Sequence, residues 1–124
     1  MPFDGSRFDH GPLRLFDEML EFFGPDGERW AQHAQIDDDG RRCLVGALAG
    51  CRAKLKMPKR DNAARYLRAA IRGHQGGNRI SIMRFNDHEQ RTFKDIRDVL
   101  LAAGEMARTG DIRLRDDRQL TLPL

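Results

Sequence analysis

The chain has 124 residues, 40% hydrophobic and 33% charged, with two cysteines and a formal net charge of +3. That length supports one buried core rather than two, and the composition excludes a chain disordered throughout. The longest uncharged apolar-and-glycine run, Cys43 to Cys51, is nine residues, well short of the ~20 needed to cross a bilayer, so no membrane partner is expected.

The first twenty residues carry Asp4, Arg7, Asp9, Arg14, Asp17 and Glu18 with no apolar h-region, which points to a cytoplasmic protein. Pro2, Gly5 and Gly11 predict an irregular arm over residues 1–11. Leu13, Phe16, Leu20 and Phe23, spaced by three, four and three, make an amphipathic helix over 13–23 that starts near Pro12 and stops at Gly24-Pro25. Trp30 follows in a loop or short helical turn, Gly27 to Ile36, where a single large aromatic most often plugs the end of a helical core.

Asp37-Asp38-Asp39 marks the start of a central buried helix over 42–56, with Leu44, Leu48, Cys51 and Leu55 on one face. Gly46, Ala47, Ala49, Gly50 and Ala53 leave room for a neighbouring helix to approach closely. Met57-Pro58-Lys59 breaks this helix, and Asp61 or Asn62 caps a third over 62–72, whose Arg65, Arg68 and Arg72 share the face opposite Ala63, Tyr66, Leu67, Ala70 and Ile71. The Gly73–Asn78 stretch turns the chain, and Ile80, Ile82 and Phe85 suggest extended structure over 79–85. Asn86 with Glu89, or Asp87 with Gln90, has capping-box spacing for a last helix over 88–108, ended by Thr109-Gly110. The tail from Asp111 reads as extended. The expected fold is therefore mainly α: a single-domain bundle of about four helices over residues 12–110, with minor extended structure near 79–85 and over 111–124.

Charge is distributed unevenly. Residues 1–40 hold ten acidic and three basic side chains, a balance of −7, whereas residues 52–79 hold nine basic and one acidic, a balance of +8. The basic stretch suits nucleic acid or another polyanion, with Lys56, Lys59, Arg60, Arg65, Arg68 and Arg72 as the binding residues. The competing reading is a solvated face neutralised by the acidic first third, either within the fold or in a second copy. A helix-turn-helix matches only in outline, because the second helix offers few base-reading side chains at its N-terminus.

Cys43 is the catalytic candidate. A thiol in the first turn of a helix, beside Arg41 and Arg42, is favoured as thiolate, and a histidine (His10, His33, His74 or His88) with Asn86 or Asp87 would complete a Cys/His/Asn arrangement. Against this, Asp37–Asp39 oppose the thiolate, no catalytic signature surrounds the residue, and a cysteine among Leu, Val and Ala is ordinarily a small core residue. On one helix Cys43 and Cys51 would lie about 12 Å apart, beyond the ~7 Å Cα limit for a disulfide. The aspartate run lacks the alternation and distal glutamate of a calcium loop, the histidines lack metal-ligand spacing, and the glycines follow a helix rather than a strand, so no metal and no phosphate-binding cofactor is expected.

Trp30, the Gly40-x-x-Cys43-x-x-Gly46-Ala47-Leu48 element, and Phe85 followed by Asn86-Asp87 and an amphipathic helix together resemble a family of small, uncharacterised bacterial domains. The resemblance spans about residues 13–108. It implies one fold unit and no activity, since the family carries none that is established. It also draws Trp30, Cys43, Asn86 and Asp87 into a single set, either a buried structural knot or a small site. The functional expectation is a non-catalytic binding or regulatory module; the alternatives are a thiol-dependent enzyme using Cys43 and a protein-interaction module.

Overall fold

The computed structural model describes residues 10–58 and 61–110; the expected arm and tail, and the candidates Lys59 and Arg60, lie wholly or mainly outside them. The domain is helical, with helices α1 (His10–Phe23), α2 (Leu44–Lys54), α3 (Ala63–His74), α4 (Ile82–Asp87) and α5 (Phe93–Thr109). The most extensive packing joins α5 to α3 and to α1, so α5 rather than α2 is the central element.

In α1 the stripe Leu15, Phe16, Met19 and Phe23 is buried. Pro12 lies in the first turn, where a missing N–H breaks no helical bond. The helix stops at Gly24, whose φ of +86° is open to glycine at little cost. α5 buries Ile96, Val99, Leu100, Ala103, Met106 and Ala107 on one side, and Gly110 closes it with a φ of +70°. On α3, Ala63, Tyr66, Leu67, Ala70 and Ile71 are buried and Arg65 and Arg68 are exposed, as the spacing predicts.

Several local expectations are corrected. Asp37 does not start a helix: its Oδ1 accepts from the Asp39 and Arg41 N–H groups at 3.0 and 2.8 Å, and its Oδ2 from Arg41 Nε at 2.7 Å. A short polar side chain able to bond its own neighbours closes a turn instead of opening a helix. Partial desolvation opposes its charge, but the Arg41 backbone and side chain and the Asp39 N–H outweigh it and hold the carboxyl below its usual range. α2 begins only at Leu44, with Cys43 in extended conformation as its N-cap. Of the two candidates for the α3 start, Asp61 is used: its Oδ1 accepts from Ala63 N–H at 3.0 Å, whereas Asn62 makes no side-chain cap bond.

Residues 78–81 form no regular element, and from Ile82 the chain is helical instead of extended, with the Ser81 hydroxyl accepting from Arg84 N–H at 3.0 Å. Asn86 and Asp87 therefore end α4 and do not open α5. The capping box falls at Thr92 and Asp95: the Thr92 hydroxyl accepts from Asp95 N–H, and Asp95 Oδ2 accepts from Thr92 N–H at 3.1 Å. Asn86 is unable to cap, because its side chain is fully buried and bonded elsewhere.

Gly46 and Gly50 also serve a purpose other than helix approach. A Cβ at Gly46 would lie 2.1 Å from the Gln35 carbonyl oxygen, and one at Gly50 would lie 2.2 Å from Arg42 Nη1. The small residues of α2 thus admit the loop that precedes it. That loop folds back along its own end: Trp30 and Ile36 both bridge to Arg42, Ala31 N–H donates to the Arg42 carbonyl at 2.9 Å, and Arg42 N–H donates to that of Arg29 at 2.8 Å.

Candidate functional site

Three regions carry chemistry-bearing side chains. The first is centred on Asn86, the only fully buried polar residue among those described. Its Oδ1 accepts from Trp30 Nε1–H at 2.8 Å and Leu44 N–H at 3.0 Å; its Nδ2 donates to the Ala31 carbonyl at 3.1 Å and to Asp87 Oδ1 at 2.8 Å. Gln32 Nε2 donates to the Asn86 and His88 carbonyls at 3.0 and 2.8 Å, and Asp87 Oδ1 also accepts from His33 N–H at 2.9 Å. Of the set drawn together by sequence, Trp30 and Asp87 are each bonded to Asn86, and Cys43 adjoins through Leu44. A primary amide has two donors and two good acceptor positions, and here all are engaged. A saturated amide leaves nothing for a ligand, so this cluster ties the 30–36 loop to α2 and α4.

Cys43 is 2% exposed, and its Sγ accepts from Gly46 N–H at 3.4 Å. Among the described residues no histidine is bonded to it. The sulfur completes the helix start, and this geometry offers no nucleophile to solvent. Cys51, also buried, has its thiol pushed up by burial first and by Glu18 second. Neither cysteine is bridged.

The second region is the basic segment. Arg52 is turned inward and pairs with Asp61 at 2.6 Å; Lys54 pairs with Glu18 of α1; Arg72 Nε donates to the Gly77 carbonyl at 3.2 Å and secures the turn after α3. Lys56, Arg65 and Arg68 are exposed. Among the described residues, neither Arg65 nor Arg68 meets a carboxylate at ion-pair distance. The structure thus divides a stretch that looks uniform in sequence: part holds the fold together, and part faces solvent.

The third region is a cavity of about 670 Å³ between the C-terminal half of α1, the turn after it and α2. The guanidinium carbons of Arg29 and Arg42 each lie 5.8 Å from the centre of the Phe22 ring. Arg42 Nη1 donates to the Gly46 carbonyl at 3.1 Å and lies across Gly50. Sequence periodicity gives no sign of this arrangement; the single cue is Gly50 in a helix otherwise free to carry a larger side chain there.

Among the described residues no group of three or more His, Cys, Asp or Glu side chains is arranged to hold a metal ion, and no helix is long and apolar enough to cross a membrane. The architecture is that of a small helical domain whose loop is pinned by one buried amide. Residues 12–106 match DUF6197, a family of unknown function, and the chain belongs to that family. Comparisons with curated proteins and with solved structures give no match.

Proposed function

We propose that this domain is a non-catalytic binding module whose α3 face takes a polyanion, nucleic acid in the first instance. The observation that carries the reading is the contrast within the basic segment: Arg52 and Lys54 are neutralised by Asp61 and Glu18, while Arg65 and Arg68 stay exposed with no carboxylate against them among the described residues. Arginines one turn apart on a rigid helix suit successive phosphates, and the turn that Arg72 secures holds the end of that helix in place. The saturated Asn86 cluster and the buried Cys43 favour a scaffold role over catalysis for those residues.

The test is a titration of the full chain with duplex and single-stranded oligonucleotides at two salt concentrations. Binding should weaken steeply with salt, and Arg65→Glu with Arg68→Glu should lower the log–log salt slope by about 2, roughly one for each phosphate contact removed. No binding at low salt by the folded protein, or unchanged binding by the double variant, overturns the reading.

A further inference from the structure

We propose that the cavity between α1 and α2 is a binding site for a small zwitterion with an apolar side chain, of di- or tripeptide size. It lies apart from the α3 face and does not depend on the polyanion reading. Its volume, about 670 Å³, falls within the ~300–1,000 Å³ typical of small-molecule sites.

The argument rests on how the charges in the cavity are held. Arg29 and Arg42 both lie against the Phe22 ring, and among the described residues neither pairs with a carboxylate. Glu21 and Glu28 line the same cavity and likewise have no ion-pair partner among the described residues, while Glu18 is taken by Lys54. Lys54, which also lines the cavity, is attracted by Glu21 but makes its ion pair with Glu18, so Glu21, Glu28, Arg29 and Arg42 bring charges of both signs to one solvent-facing space with no ion pair among the described residues.

Two glycines make room for two of these charged heads. A Cβ at Gly50 would lie 2.2 Å from Arg42 Nη1, and a Cβ at Gly24 would lie 2.3 Å from Glu28 Oε1. Each charged head is seated on bare backbone, and Arg42 is fixed further by its bond to the Gly46 carbonyl.

Two guanidinium groups beside one aromatic ring raise the local positive potential, which an anionic group in the cavity relieves. A doubly charged phosphate would meet repulsion from Glu21 and Glu28. A carboxylate on the arginines, joined to an ammonium group on the glutamates, satisfies both signs, with the ligand's apolar side chain on Phe22. The cavity is larger than one amino acid needs, hence the peptide.

The experiment titrates ¹⁵N-labelled full-length protein with the dipeptides Ala-Phe and Ala-Leu, then with their N-acetylated and C-amidated forms. The zwitterions should shift the Phe22, Arg29 and Gly50 amide resonances saturably, and each capped form should bind at least about tenfold more weakly. Gly50→Ala should abolish the shifts while its helical circular dichroism matches wild type, because the new methyl displaces the Arg42 head. Arg65→Glu with Arg68→Glu should bind the peptides as wild type does, which separates this site from the α3 face. The proposal is overturned by no saturable shift up to about 10 mM of either zwitterion, by capped forms that bind equally well, or by a folded Gly50→Ala protein that binds normally.

Discussion

The Trp30 indole donates to the Asn86 amide oxygen at 2.8 Å across 56 positions of sequence. The same oxygen accepts the Leu44 N–H at the start of α2, so one atom joins the loop, the second helix and the end of the fourth. Asn86 is fully buried, and losing it strands the buried Leu44 N–H and Ala31 carbonyl away from water, while the half-buried Trp30 and Asp87 lose a partner as well. Asn86→Ala should therefore destabilise the domain by about 3–5 kcal/mol, at about 1–3 kcal/mol for each group left unsatisfied, with partial relaxation. Urea denaturation followed by Trp30 fluorescence reads this directly. Trp30→Phe removes one donor and leaves the Leu44 bond, so its loss should be smaller.

Asn86→Asp tests the direction of the bonds. The new carboxylate oxygen would face the Ala31 carbonyl and the Asp87 carboxylate where the amide nitrogen now donates. Burial and like charge would raise its folded pKa above the unfolded value near ~4. The destabilisation should be complete at neutral pH and fade as the pH falls through the folded pKa; a variant equally unstable at pH 4 and pH 8 would contradict the assignment.

Gly46 and Gly50 should respond differently to alanine. At Gly46 the added Cβ meets backbone, 2.1 Å from the Gln35 carbonyl oxygen, so the loop must move. At Gly50 it meets the far end of the Arg42 side chain, which can swing away at the cost of its one bond to the Gly46 carbonyl. Gly46→Ala should lower the melting temperature by well over 5 °C, whereas Gly50→Ala should change it by no more than a few degrees, since alanine's gain of up to about 1 kcal/mol in helix propensity offsets the lost Arg42–Gly46 bond.

Asp95 supplies a pH dependence. Desolvation acts against its charge, but the Thr92 backbone and hydroxyl, followed by His74 at 3.3 Å, hold its carboxyl below the usual range. A depressed folded pKa contributes stability that is fully present above the unfolded value, near ~4, and is lost as the pH falls through the folded pKa. Asp95→Asn should accordingly cost about 1 kcal/mol at pH 7, typical of a lost cap, and cost progressively less below pH ~4. Parallel denaturation series at pH 7 and pH 3 measure the difference.

Both cysteines should resist alkylation in the folded protein. Cys43 and Cys51 are 2% and 6% exposed, and burial together with Glu18 pushes the Cys51 thiol up, away from the reactive thiolate. Labelling near neutral pH should proceed only as fast as the domain opens and become rapid in denaturant. Fast native-state labelling of Cys43 would restore it as a nucleophile.

The helices were legible in the sequence because their signal is local. The apolar stripes of α1, α3 and α5 recur every three or four residues, and the breaks at Gly24-Pro25 and Gly110 are local as well. Trp30, Asn86 and Asp87 could be grouped by resemblance, but neither their bonds nor their partners Ala31, Gln32 and Leu44 follow from any spacing. The misplaced α5 start shows the limit clearly. Asn86-Asp87 has the form of a cap, but so does Thr92 with Asp95 three residues on, and the enclosure of the Asn86 side chain among distant groups decides between them.

By itself, then, the sequence determined a helical domain with an acidic first third and a basic middle, since periodicity and charge are properties of neighbouring residues. Tertiary structure decided which charges are neutralised and which face solvent. It also decided why α2 carries glycines: Gly46 lies under a loop carbonyl and Gly50 under an arginine. Those outcomes depend on distances between segments far apart in the chain, which packing of the whole core sets and no local pattern records.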